Sequence, residues 1–323
     1  MSSELLYLSQ ADVKSVGVTM MEIIGALELM FREKAEGRVE MPPKPGIHTM
    51  PDAFIHAMPA YIPALRAAGI KWVSGYPGNQ ARGLPYISGL LVLNDTETGM
   101  PLAVMDCTWI TAMRTGAATA LAAKYLARPE SAVVGILGCG VEGRSNLEAL
   151  NCLFPLTRVM AYDVDAEAQR QYVDEMSQQF GLEAIPVSEP RQAVSGCDLV
   201  VTAGPILRAP HATIQAGWLE PGAFASLVDF DSYWHPSALH ECDKFCTDDI
   251  PQMEHYREIG YFRDIPVVYA ELGELVAGRK PGRESPGERT VACNLGLASD
   301  DMATAPLVME KALGQQIGLR LPL

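Results

Sequence analysis

The chain has 323 residues, with 25 Lys or Arg against 39 Asp or Glu and a formal net charge of -14. That length exceeds what one hydrophobic core usually holds, so two domains are expected. The acidic balance repels phosphate backbones and anionic lipid, which excludes nucleic acid and membrane surfaces as partners. No apolar run approaches the roughly 20 residues that cross a bilayer, and the start, Met1-Ser-Ser-Glu-Leu-Leu-Tyr-Leu, carries no basic flank or cleavage-type signal. Seven cysteines scattered through apolar stretches suit reduced core thiols rather than a disulfide framework. A cytoplasmic protein is expected.

In chain order, Met20-Met-Glu-Ile-Ile-Gly-Ala-Leu-Glu-Leu-Met-Phe-Arg32 has apolar residues at helical spacing and predicts a packing helix. Met41-Pro-Pro-Lys-Pro-Gly46 then predicts an extended loop, because proline fixes the backbone and removes donors. Strand-like runs follow at Ala67–Ser74 and Gly89–Asn94, the second closed by the turn Asn94-Asp-Thr-Glu-Thr-Gly99. The alanine-rich run from Met113 to Ala127 predicts a helix of little bulk, with Arg114 near its beginning.

From Ala132 strands alternate with helices. Strands are predicted at Ala132–Leu137, Arg158–Asp163, Ala184–Val187 and Asp198–Ala203, each joined to the next by a helix, with further strands at Ala223–Val228 and Lys244–Thr247. Such alternation means parallel crossovers. The expected fold is α/β: a Rossmann-type doubly wound parallel sheet over 128–304, plus a discontinuous α+β domain of residues 1–127. A last helix around Asp300–Leu313 is expected to pack back on that first domain, residues 305–323 completing it. Cys242-Asp-Lys-Phe-Cys246, with His240 just before it, lacks a matching second pair, so no metal site is expected.

The strongest chemical signal is Gly138-Cys-Gly140-Val-Glu-Gly143 between an apolar strand and a helix-prone run. Dinucleotide binding needs a tight turn at the first glycine, backbone close to the pyrophosphate at the second, and close helix packing at the third. The helix that follows aims unpaired N–H groups and its positive dipole end at phosphate. Asp163 ends the next strand about 20 residues on, where a carboxylate accepts from ribose hydroxyls and repels a 2′-phosphate. NAD is therefore expected over NADP, with Arg144 directly after the loop able to soften the preference.

Set beside Lys71-Trp-Val-Ser-Gly-Tyr-Pro-Gly-Asn79 and Arg114-Thr-Gly-Ala-Ala-Thr-Ala120, the glycine loop shows that the chain resembles the ornithine cyclodeaminase and mu-crystallin family. Met58-Pro-Ala60, Asn94-Asp-Thr-Glu-Thr-Gly-Met-Pro-Leu-Ala103, Trp218-Leu-Glu-Pro-Gly-Ala223, Glu271-Leu-Gly-Glu-Leu-Val-Ala-Gly278 and Leu295-Gly-Leu-Ala-Ser-Asp-Asp-Met-Ala303 extend the resemblance over nearly the whole length. It implies hydride transfer between nicotinamide and the α-carbon of an amino or imino acid, and a homodimer. It also implies that Lys71 and Arg114 receive the substrate carboxylate, a guanidinium fork gripping it in two places while an ammonium adds charge. Asp231 in Val228-Asp-Phe-Asp-Ser232 matches the acid at the substrate amine, with Asp229 as the alternative. Beyond Gly138, Gly140, Gly143 and Asp163, the cofactor-binding set takes in Val141, Glu142, Thr115 and Thr202.

Three positions depart from the family pattern. His56 stands where ornithine cyclodeaminases carry a glutamate for the distal amine, which argues against ornithine; a catalytic acid–base role and a packed histidine with a backbone partner both stand. Tyr86 replaces a small hydroxyl residue and adds a ring to the substrate pocket. Lys44 replaces an arginine and keeps charge without the fork. Val291-Ala-Cys-Asn294-Leu-Gly296 also differs from the commoner ending, and resembles a branch labelled as an amine-oxidase subunit. The expected function is an NAD-dependent imine reductase or amino-acid dehydrogenase. The alternatives are a cyclodeaminase, a dinucleotide-binding protein with little catalysis, and an accessory subunit in amine metabolism.

Overall fold

A computed structural model describes residues 4–50 and 53–323; of the N-terminal start read above, Met1–Ser3 lie outside the described residues. The chain forms two compact units, Met1–Arg114 with Leu297–Leu323, and Thr115–Gly296. These divisions fall at 114/115 and 296/297, whereas the sequence predicts them at 127/128 and 304/305.

The first unit contains β1 (Glu4–Leu8), α1 (Gln10–Ser15), α2 (Met20–Ala35), β2 (Gly46–Ile47), β3 (Phe54–Ile62), β4 (Ala67–Gly75), β5 (Ile87–Asn94), β6 (Pro101–Asp106) and the start of α3 (Thr108–Leu126). Thr19 caps α2 in a reciprocal box with Glu22, as the spacing of its apolar residues requires for a helix starting at Met20. These six strands and one from the end of the chain form a seven-stranded mixed sheet. β1 runs parallel to β6, and β3, β4, β5 and β6 are antiparallel neighbours. Met58, Ala60, Ile62, Val73, Leu91, Leu93, Ala103 and Met105 point to one buried face.

β3 carries no sequence signal for a strand because Pro59 interrupts it. The structure tolerates Pro59 because residues 57 and 61 donate outward, to Pro45 and Glu40 carbonyls, so the missing N–H lies on the thinly paired side of β3.

The second unit holds the rest of α3, then β7 (Val133–Leu137), α4 (Val141–Leu153), β8 (Arg158–Tyr162), α5 (Ala166–Phe180), β9 (Glu183–Pro186), β10 (Leu199–Thr202), β11 (Phe224–Leu227), α6 (Pro236–Leu239), β12 (Lys244–Thr247), α7 (Ile250–Glu258), β13 (Val268–Glu271), α8 (Leu272–Val276) and β14 (Thr290–Cys293). Its eight strands pair only in parallel, in the order β13-β12-β14-β11-β10-β7-β8-β9. The chain runs outward from β7 through β8 to β9 and returns on the other side of β7 at β10, which makes the crevice beside β7 a topological switch point.

The alanines of α3 serve close packing. A Cβ at Gly116 would lie 2.3 Å from the Ser145 carbonyl oxygen, so α3 and α4 approach backbone to backbone. The helix predicted between β9 and β10 is instead a single 3-10 turn, Pro190–Ala193. Its Ala193 carbonyl presses on Gly135 of β7, where a Cβ would come within 1.7 Å, leaving no room for a full helix.

The chain re-enters the first unit with α9 (Ala298–Gln315) and β15 (Leu319–Pro322). α9 lies on β3, β4 and α2, and β15 extends the mixed sheet beside β1.

Candidate active site

In the second unit the glycine loop joins β7 to α4. Gly138 has φ of +109°, and a Cβ there would fall 2.5 Å from the Ala203 carbonyl oxygen, so a side chain is excluded twice over. Gly140 is the N-cap of α4 with no side-chain cap, and the space beside its Cα is open. A Cβ at Gly143 would meet the Gly138 carbonyl oxygen at 2.2 Å, which holds the helix against the turn. These are the three tasks a pyrophosphate cradle sets, and the loop fits a dinucleotide. Val141 is exposed and Glu142 stands in the first turn of α4.

Asp163 follows β8 and faces this loop. One carboxylate oxygen accepts the Cys139 N–H at 2.7 Å and the other the Asp165 N–H at 2.9 Å, which fixes the carboxylate and leaves lone pairs for a ribose. Arg144 is committed to the loop itself: its guanidinium donates to the Cys139 carbonyl, to the Gly140 carbonyl at 3.2 Å, and to Glu175 at 2.7 Å.

Thr202 ends β10. Its hydroxyl donates to Asp229 Oδ1 at 2.6 Å and accepts from Trp234 Nε1 at 3.2 Å, which ties it into an internal network. Asp229 Oδ2 accepts the Gly204 N–H at 2.8 Å. Burial pushes Asp229 up to about 7 in spite of these bonds. Asp231 is also raised by burial, with backbone N–H groups of Asp231 and Phe262 and the charge of Arg263 opposing. Its Oδ1 is buried without a hydrogen-bond partner among the described residues.

Phe230, between the two acids, has φ of +62°, a conformation costing roughly 1–2 kcal/mol for a residue with a Cβ. Its ring is wedged among Tyr256, Tyr261 and Phe262 at centroid distances of 4.9, 5.7 and 4.9 Å, which holds the strained turn. Of the two candidate acids, Asp229 has both oxygens engaged internally, and Asp231 keeps one in reserve.

In the first unit, Lys71 on β4 and Arg114 in the second turn of α3 meet on one carboxylate. Lys71 Nζ lies 2.6 Å from Asp301 Oδ2 and donates to Thr111 Oγ1 at 3.3 Å; Arg114 Nε lies 3.4 Å from Asp301 Oδ1, and its Nη1 lies 3.9 Å from Asp300 Oδ2. Asp300 Oδ2 also accepts the Leu297 N–H at 2.9 Å and so fixes the start of α9. All four charged groups are buried. Burial lowers the Lys71 ammonium from its usual range, and Asp301 opposes the shift. In the sequence Asp300 and Asp301 stand out only as part of the Leu295–Ala303 motif. Two adjacent acids on an otherwise apolar, buried helix face were the available signal.

His56 stands half-buried on β3 and stacks on Phe54 with ring centroids 4.3 Å apart. A Cβ at Gly46 would touch its Cδ2 at 2.4 Å, so the ring lies flat on β2. Tyr86 is half-buried, and its carbonyl accepts the Tyr76 N–H at 2.9 Å; Lys44 and Thr115 are half-buried on the proline-rich loop and α3. His240 Nε2 pairs with Asp264 at 2.9 Å, while burial pushes the Cys242 and Cys246 thiols up to about 12. Among the described residues no helix is long and apolar enough to cross a membrane.

The chain is similar to several known proteins. Alanine dehydrogenase of Archaeoglobus fulgidus is 38% identical over 330 residues, covering 98% of each chain. The structure of Thermococcus litoralis Delta(1)-pyrroline-2-carboxylate reductase in complex with NADH and L-proline superposes with a TM-score of 0.89 at 33% identity, over 98% of this chain and 100% of that one. An archaeal alanine dehydrogenase dimer with bound NAD has a TM-score of 0.89 at 36% identity, over 99% and 100%. Residues 4–316 match the model of the ornithine cyclodeaminase/mu-crystallin family, and the chain belongs to that family.

Proposed function

We propose that the protein is an NAD-dependent imine reductase or amino-acid dehydrogenase, moving a hydride between nicotinamide and the α-carbon of an amino or imino acid. The observation that carries this reading is the gathering of Lys71 and Arg114 on Asp301 in a chain that also builds a dinucleotide loop. Arg114 offers the planar fork that holds a carboxylate, and Lys71 the second charge. Asp231, raised by burial and with one oxygen unpartnered, suits the exchange of a proton with the reacting nitrogen. The bound dinucleotide supplies or takes the hydride. Asp163, held by two N–H groups, disfavours a 2′-phosphate, and the engagement of Arg144 leaves NAD the preferred form.

The test is NADH oxidation with Delta(1)-pyrroline-2-carboxylate and with pyruvate plus ammonium, in wild type and Arg114→Ala. The variant is expected to raise the substrate KM by ~100-fold, the size of a lost charge-assisted pair, while the NADH constant holds. Equal effects on both constants would sink the carboxylate role. Tight NADH binding with no turnover on any imine would favour the binding-protein reading instead.

We also propose a homodimer through the open face of the mixed sheet. Tyr61, Trp72, Leu90, Leu102, Leu319 and Leu321 are all exposed there, with Trp72 directly opposite Leu90. Apolar exposure of this extent calls for a cover, and the similar archaeal alanine dehydrogenase is a dimer. Trp72→Glu is expected to shift the mass measured by light scattering from dimer to monomer; an unchanged dimer would place the interface elsewhere.

A further inference from the structure

Asn294 follows β14 at the carboxyl edge of the parallel sheet, the edge where ligands bind in folds of this kind. Its side chain is 7% exposed, and neither Oδ1 nor Nδ2 has a hydrogen-bond partner among the described residues. The backbone on both sides is clamped. Thr247 Oγ1 donates to the Cys293 carbonyl at 2.9 Å, and Asp248 Oδ2 accepts the Gly296 N–H at 2.9 Å. A buried amide with its donors and acceptor idle, on backbone held this firmly, marks the place of an absent partner.

The sheet order indicates which part of the dinucleotide that partner is. Asp163, the ribose acid, follows β8 on one side of the glycine loop, so the adenosine half belongs on that side. The nicotinamide half then belongs on the other side, toward β10, β11 and β14. β14 pairs with β11 through Ser226↔Ala292, which brings Asn294 level with Val228, the residue before Asp229. The nicotinamide ring has one polar substituent, a carboxamide with an oxygen acceptor and two N–H donors. A side-chain amide is its complement, donating to that oxygen and accepting from that nitrogen.

We propose that Asn294 reads the carboxamide of the nicotinamide ring and so positions the ring at the end of β14. The proposal rests on the dinucleotide reading above. It gives a function to the stretch Val291-Ala-Cys-Asn294-Leu-Gly296, which the rest of the mechanism does not use.

The test is equilibrium binding, followed by protein fluorescence, of NADH, of its 3-acetylpyridine analogue, and of ADP-ribose. The analogue keeps the ring oxygen acceptor and replaces the amino group by methyl; ADP-ribose lacks the ring. Wild type is expected to bind NADH about 10-fold more tightly than the analogue, the scale of one buried hydrogen bond left unmade. Asn294→Ala is expected to lose about 10-fold or more toward NADH, to bind NADH and the analogue alike, and to keep its ADP-ribose affinity. Asn294→Asp, with the same shape but no donor for the carboxamide oxygen, is expected to weaken NADH and spare ADP-ribose.

A parallel loss of ADP-ribose affinity in both variants overturns the proposal by making Asn294 a fold residue. Discrimination against the analogue that persists in Asn294→Ala overturns it as well. If wild type binds neither NADH nor ADP-ribose, the dinucleotide reading falls and takes this one with it. If ADP-ribose binds and only the discrimination fails to respond, this inference alone is lost.

Discussion

The two units differ in how they balance the charge of their buried acids. In the first, two cations and two carboxylates are gathered into one cluster in which Lys71, Arg114, Asp300 and Asp301 offset one another. In the second, burial raises Asp229 and Asp231, and Asp231 Oδ1 and both amide atoms of Asn294 stand without partners among the described residues. The first arrangement balances its charges without a ligand, although neither Asp301 oxygen makes a hydrogen bond of good geometry among the described residues. The second is incomplete by itself, and a ligand that satisfies it gains hydrogen bonds at no cost in reorganisation.

The sharpest way to break this contrast is to remove one member of the paired cluster. Lys71→Met leaves Asp301 buried with its closest cation gone, and is expected to cost ~3–5 kcal/mol in urea unfolding. The double variant Lys71→Met with Asp301→Asn should recover much of that loss. A cost below ~1 kcal/mol in the single variant would mean the cluster is not held as a unit.

A smaller effect is expected from Asp229. Its pKa rises from 3.8 to about 7 on folding, so between those values the native state binds the extra proton and stability falls as pH rises. Below 3.8 both states are protonated and the penalty vanishes; above 7 it stays constant. Asp229→Asn should therefore flatten the stability profile between pH 5 and pH 8 by ~2 kcal/mol, read from unfolding at each pH. A slope unchanged by the substitution would show that Asp229 titrates alike in both states. The smallest effect belongs to Asn294→Leu, which replaces an idle amide with an apolar group of similar size. It is expected to leave stability within ~1 kcal/mol of wild type or to raise it, whereas a large loss would mean Asn294 already has its partners.

What could be read from the chain follows the range of the forces involved. The glycine loop is local: three glycines, the strand before them and the acid after the next strand lie within one short stretch, and the structure brings Asp163 onto the loop. The pairing of Lys71 with Asp301 is invisible to any window of periodicity, since one stands on a strand and the other on the last helix. β14 is inserted between β11 and β12 although it follows both in the chain, and β3 hides behind Pro59. Thr202 sits where expected, at the end of β10, but its hydroxyl direction is decided by Asp229 and Trp234, which arrive in a later loop.

The division of the first unit bears on how the chain is made. Lys71 leaves the ribosome early, and its closest counter-ion, Asp301, comes 230 residues later (301 − 71 = 230). At the usual pace of synthesis that gap is roughly 10 to 50 s. In that interval every residue of the second unit has appeared, while the first lacks α9, which covers β3 and β4 and brings the two acids. The nascent chain therefore carries a lysine destined for burial with nothing to bury it against. Completion of the first unit becomes a late event, and a chain released before Asp300 would hold a finished parallel sheet and an open, mismatched mixed one.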